Sequence, residues 1–217
     1  MSGDSHAASL DEDSPLSAEE SLALIESQRR EVHRRLGVNV ALFYGPWGAA
    51  YLFGFGSAFL TYPSAVPSRL SGTVAGVISG VLFAVAVVVS IVIGTRGGRG
   101  VRGPSRMVGA MYGWSWTLAF SALTAVNIGV TRRGLPADTA TLLWSGSTLV
   151  LVGVLYLAGG ALWQDRFQYG LGVWMLVTGA ASVLAGVPGN FAVLSLAGGG
   201  GLLLAAGYFG LRRLRAR

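Results

Sequence analysis

Residues 72–94 read GTVAGVISGVLFAVAVVVSIVIG, a run with no charged side chain. The hydrocarbon core of a bilayer is about 30 Å thick, so about 20 predominantly apolar residues in a helix suffice to cross it. Five further runs share that character, at 38–60, 107–130, 140–163, 169–187 and 190–211. A charge at mid-bilayer costs about 2.5 to 3.5 kcal/mol on insertion scales, which accounts for arginines that lie between the runs and not within them. The pattern predicts an all-α polytopic membrane protein with six transmembrane helices.

The arginines also predict an orientation. Arg29, Arg30, Arg34 and Arg35 precede the first run, Arg96, Arg99, Arg102 and Arg106 join the second to the third, Arg166 lies between the fourth and fifth, and Arg212, Arg213, Arg215 and Arg217 close the chain. Only Arg69, Arg132 and Arg133 fall on the other side. Cytoplasmic loops collect positive charge, so both termini are expected in the cytoplasm of a bacterium, with the chain multi-pass in its plasma membrane.

The formal net charge of +6 is the sum of two opposed segments. Residues 1–31 carry eight acids and two arginines, and the remainder carries fourteen arginines and two acids. Positive charge confined to membrane edges argues for topology and against a nucleic-acid partner; the lipid bilayer is the partner it fits. The chain has no cysteine, and His6 and His33, its two histidines, have no ligand at zinc-motif spacing. No metal, cofactor or catalytic residue is expected. Intramembrane serines and threonines have no histidine, acid or lysine in the runs to activate them, so the chain is expected not to be an enzyme.

Three segments follow from composition. Residues 1–16 are acidic and poor in large apolar groups and are expected to be a disordered tail. Ser17 and Glu20 form an S-x-x-E capping box that opens a cytoplasmic amphipathic helix over 17–36. Its apolar stripe includes Leu22, Ile25 and Val32, candidates for docking on lipid, on a partner subunit or on a second copy of the chain. Glu26 with Arg30 and Glu31 with Arg35 are favourable i,i+4 pairs. Residues 37–217 make up the six-helix transmembrane domain.

Small residues recur inside the runs. Gly72, Gly76 and Gly80 repeat every fourth residue in the second, and Gly109, Gly113, Thr117, Ser121, Ala125 and Gly129 continue that ladder in the third. Such a face admits a neighbouring backbone, so the second and third helices are expected to pack there. Gly146, Gly153 and Gly160 in the fourth run, and Gly172, Gly179 and Gly186 in the fifth, recur every seventh residue. That period suits a left-handed crossing, and these two runs should form a tight hairpin around 164–168. The Gly198 to Gly201 run in the last helix should distort it, and Pro46 should bend the first.

Most aromatic residues sit where interfacial belts belong, among them Tyr44, Tyr112, Trp114, Trp163, Tyr169 and Trp174. Trp47, Tyr51 and Trp116 are candidates for a binding wall, where an aromatic face would attract a hydrophobic cation. Asn127, the one strongly polar amide well inside a run, is a candidate for a substrate contact or an interhelical hydrogen bond.

The segment EESLALIESQRREVHRRL at 19–36, followed by YGPWGAAYLFGFG at 44–56, and the end QYGLGVWMLVTGAASVLAGVPGNFAVLSLAGGGGLLLAAGYFGLRR at 168–213 carry a resemblance. Together they resemble small, uncharacterised bacterial multi-pass integral membrane proteins loosely labelled transport proteins. That resemblance implies a topology and brings the label of transport, with no substrate and no functional residues. A helix before six spans is also similar to the permeases of ABC-2 exporters, although the arginine and glycine link at 95–106 and the VPGN turn at 187–190 depart from that pattern. The expectation is a component of a transport system acting with a membrane-associated ATPase or other subunit. The alternative is a regulatory or scaffolding membrane protein that binds a partner through the amphipathic helix.

Overall fold

A computed structural model describes residues 17–24, 26–27, 40–62, 70–97 and 104–215, and every regular element among them is helical. The chain divides into two compact units, Met1–Val38 and Asn39–Arg217. In the first, residues 18–24 and 26–27 are helical. The capping box is made: the Ser17 N–H donates to the Glu20 carboxylate at 2.9 Å and the Glu20 N–H to Ser17 Oγ at 3.2 Å. These contacts with Ser17, the backbone N–H foremost, hold the Glu20 carboxyl below its ordinary range. Leu22 is 60% exposed. Ile25, Val32, the acidic tail and the two expected ion pairs lie outside the described residues, in whole or in part.

The second unit begins with α1 (Val40–Ala49), a π-helical segment π1 (Ala50–Phe55) and α2 (Gly56–Phe59), which form one unbroken rod. It continues with α3 (Gly72–Gly97), α4 (Pro104–Thr131), α5 (Ala137–Leu162) and α6 (Arg166–Ala185). The last rod is α7 (Gly189–Val193), a second π-helical segment π2 (Leu194–Gly199) and α8 (Gly200–Arg215). Four helices are long and apolar enough to cross a membrane: Gly72–Arg96, Ala137–Leu162, Arg166–Ala185 and the last rod, Gly189–Arg215. Of the other two runs, Val40–Phe59 and Pro104–Thr131 are helical but are not among those four. Pro46 and Trp47 in the one, and Tyr112, Trp114, Ser115, Trp116 and Asn127 in the other, stand where aliphatic side chains would raise apolarity.

The exterior of this unit is apolar and its interior carries polar groups. Val81, Val88, Ile91, Leu118, Leu184 and Leu204 face outward, while Ser57, Asn127, Thr178, Ser182, Asn190 and Ser195 are buried. Valine and leucine on the outside with hydroxyls and amides within suit an apolar surrounding medium. The core joins Tyr44, Tyr51, Leu149, Tyr156, Met175, Leu194 and Leu202. α1 packs on α8, π1 on π2, α3 on α1 and π1, α6 on α5, and α4 on α5.

The α5–α6 hairpin is the tightest pairing. The Asp165 N–H donates to the Gly160 carbonyl and the Gln164 N–H to that of Ala161, the two bonds of a Schellman stop. That motif places Gln164 at φ 54°, in the left-handed region. Asp165 then caps α6, accepting from the Phe167 and Gln168 N–H groups at 2.9 and 3.1 Å. The turn fixes an antiparallel register in which glycines meet the opposite helix. A Cβ on Gly153 would lie 3.0 Å from the Gly172 carbonyl oxygen, one on Gly172 2.8 Å from the Leu157 nitrogen, and one on Gly179 3.2 Å from the Leu149 Cβ. Gly146 abuts Val183.

The ladders of α3 and α4 behave otherwise. Gly72, Gly76, Gly80, Gly109 and Gly113 have no atom within 4 Å of an added Cβ. The expected packing of α3 on α4 along these faces is not made among the described residues. On α3 the contacts come from Ala75, Ser79, Phe83, Ala86 and Ser90. On α4 they come from Tyr112, Trp116 and Asn127. Gly76 and Gly113 each sit one residue after a contact residue, a rotation of about 100° around the helix.

Candidate functional site

The two π-helical segments lie against each other. A π turn widens the helix by one residue and loosens the fit between its carbonyls and amides. Side-chain donors converge on those carbonyls: Ser195 Oγ donates to Leu52 O at 2.7 Å, Ser79 Oγ and Ser57 Oγ to Gly54 O at 3.0 and 2.7 Å, and Trp174 Nε1 to Ala197 O at 3.0 Å. Glycine makes the approach possible, since a Cβ on Gly199 would lie 2.5 Å from the Leu52 nitrogen and 2.8 Å from its Cα. The distortion expected from Gly198 to Gly201 is therefore present, but it begins at Leu194 and ends at Gly199. Pro46 lies inside α1 and does not end it; the geometry widens four residues later, at Ala50.

Beside this crossing is a cavity of about 410 Å³. π1 contributes Tyr51 and Phe55, α7 and π2 contribute Phe191 and Leu194, and the first half of α5 supplies the facing wall. That wall presents Trp144 and Leu149 together with the hydroxyls of Thr141, Ser145 and Thr148. Among the described residues none that lines it is charged. The volume lies within the range of small-molecule sites, about 300 to 1,000 Å³, and aromatic walls with a few polar groups are the usual lining.

Two buried amides grip α5 at the same end. Asn190, fully buried, donates through Nδ2 to Ser145 Oγ at 3.3 Å, and Asn127, 1% exposed, donates to Ser147 Oγ at 3.0 Å. The two serines in turn donate to carbonyls one turn back on α5. Each amide leaves its Oδ1 buried without a hydrogen-bond partner. An unmatched buried acceptor costs about 1 to 3 kcal/mol, so both amides hold their serines at some expense of stability.

The structure separates the other candidates. Tyr51 lines the cavity and also meets Phe55 and Phe83 edge-on. Trp47 donates to Ser90 Oγ at 2.9 Å and packs edge-on against Phe83, joining α1 to α3. Trp116 stacks on Phe120 and tilts against Tyr156, joining α4 to α5, and it does not line the cavity. Asn127 makes the expected bond to a neighbouring helix and, being buried, does not reach the interface. Asn190 and the α5 hydroxyls went unread: Asn190 sits in VPGN and reads as a turn, although it is the second residue of α7. An amide immediately after Pro-Gly, at the head of an apolar run, was the available signal. Comparison with family models, with curated proteins and with solved structures finds no match.

Proposed function

We propose that the chain is a six-span protein of a bacterial plasma membrane, with both termini cytoplasmic, serving as the substrate-binding component of a transport system that works with a partner subunit. The cavity beside the crossed π turns is the observation that carries this reading. π-helical turns inside helices are frequent at functional sites, and transporters place their binding sites where irregular helices meet. Six spans gain support from the unbroken rod Val40–Phe59 and from α4, whose 28 residues exceed the length a bilayer requires. In this topology the cavity lies in the outer half of the bundle, near the helix ends at Leu60, Pro136 and Pro188.

A second reading, a scaffold that binds a partner through its N-terminal helix, draws on the exposure of Leu22 and Leu24. Complementation of a deletion strain separates the two. Ala140→Trp directs an indole into the cavity, and the triple change of Leu22, Ile25 and Val32 to Asp removes the stripe. The transport reading expects Ala140→Trp to reach the membrane at normal level and yet fail to restore the deletion phenotype. Full complementation by Ala140→Trp, with failure of the triple variant alone, would replace it by the scaffold.

A further inference from the structure

The hydrogen bonds around the cavity specify what it can hold, an inference that rests on the binding role just proposed. The Thr141 hydroxyl proton is committed to Ala137 O at 2.9 Å, and that of Ser145 to Thr141 O at 2.8 Å. Their oxygens can therefore only accept towards the cavity. A hydroxyl has two lone pairs, so Thr141 keeps both and Ser145, which already takes Asn190 Nδ2, keeps one. The Trp144 indole N–H is spent on Thr131 Oγ1 at 3.2 Å and offers nothing inward. Full charge is disfavoured from both sides. Among the described residues no carboxylate lines the cavity to neutralise a cation and no arginine lines it to neutralise an anion, while burial of an unpaired ion is costly. Four aromatic rings, Tyr51, Phe55, Trp144 and Phe191, suit a flat or ring-bearing body.

We infer that the cavity takes an uncharged, ring-bearing amphiphile whose hydroxyl or N–H group donates to Thr141 and Ser145. A phosphate or carboxylate headgroup would find on this wall only the Thr148 hydroxyl to donate and no positive charge beside it, and an organic cation would find no counter-charge.

The test uses the full-length chain in lipid nanodiscs and three probes of similar bulk: 4-tert-octylphenol, its methyl ether, and a quaternary ammonium of matched size. Binding is read by quenching of tryptophan fluorescence. Ala140→Trp, which fills the cavity, measures partitioning into lipid. Saturable binding of the phenol is expected, lost in Ala140→Trp, with the ether about fivefold weaker for want of one hydrogen bond and the ammonium weaker still. Thr141→Val leaves the Asn190 to Ser145 bond in place and should shrink the difference between phenol and ether while the ether's affinity stays unchanged. Should phenol and ether bind alike and both fail in Ala140→Trp, the donor requirement is wrong and the cavity remains a binding site. Tightest binding by the ammonium would overturn the uncharged ligand. If the phenol does not saturate, or Ala140→Trp binds it as well as wild type, the inference and the binding role fall together.

Discussion

Along α5 and α6, Gly153 and Gly172 meet the backbone of the opposite helix at about van der Waals contact or closer, whereas along α3 and α4 a Cβ on Gly76 or Gly113 would meet no neighbouring atom within 4 Å among the described residues. Both sets look equally regular as text. The difference lies in what fixes the register. A three-residue turn holds α5 and α6 antiparallel, so a glycine at one height must face a known height on its neighbour. α3 docks instead on the first rod and α4 on α5, each through the residue beside its ladder. Small residues permit a close approach; they do not cause one.

The sharpest way to break this comparison is leucine substitution across both sets. Gly160→Leu and Gly199→Leu should lose well over about 3 kcal/mol or fail to assemble, because the first added atom already lies 2.6 Å from the Tyr169 nitrogen or 2.5 Å from that of Leu52. Gly76→Leu and Gly113→Leu should fold normally. Alanine at Gly76 or Gly113 should even stabilise by about 0.5 to 1 kcal/mol, since each is a helix-interior glycine with open space around it. Thermal unfolding in detergent reads all of these. Strong destabilisation by Gly76→Ala or Gly113→Ala would mean that a second copy of the chain packs on the open ladders in the solubilised protein.

The apolar runs made the helices legible, because the absence of charge over about 20 residues admits few alternatives. The hairpin at 164–168 was legible too, since Gln164 and Asp165 leave room for only a turn and a cap. The cavity was not. It depends on π turns, and a π turn is one extra residue in a helix that hydropathy cannot distinguish from a regular one. The faces of α3 and α4 were misread by one residue for a related reason. Glycines draw the eye, but Tyr112, Trp116 and Asn127 on α4, and Ser79 and Phe83 on α3, have side chains able to reach a partner.

A smaller effect probes the turn that sets the register. Asp165→Ala removes the acceptor of two α6 N–H groups and should cost about 1 kcal/mol. Gln164→Gly should gain about 1 kcal/mol, because a left-handed φ is strained for a residue with a side chain and free for glycine. Opposite signs at adjacent positions, measured as detergent unfolding midpoints, would establish that this turn is built by its backbone geometry. A loss at both would implicate the Gln164 side chain instead.

The smallest effect lies in the other unit, at the capping box of Ser17 and Glu20. Glu20 is exposed, and its carboxyl titrates below the ordinary value because it accepts first from the Ser17 backbone N–H and then from the Ser17 hydroxyl. A carboxyl whose folded pKa is depressed stabilises the folded form above its unfolded pKa, about 4.3, and that contribution is lost as pH falls through the lower folded value. Fraying of the helical turn at 18–24 should therefore begin below about pH 4 and not near neutrality. Carboxyl chemical shifts of labelled Glu20 in the full chain measure the midpoint directly. Ser17→Ala should raise it only part of the way to the ordinary range, since the backbone N–H remains to donate. A midpoint unmoved by Ser17→Ala would show that the hydroxyl contributes nothing and that the N–H alone holds the cap.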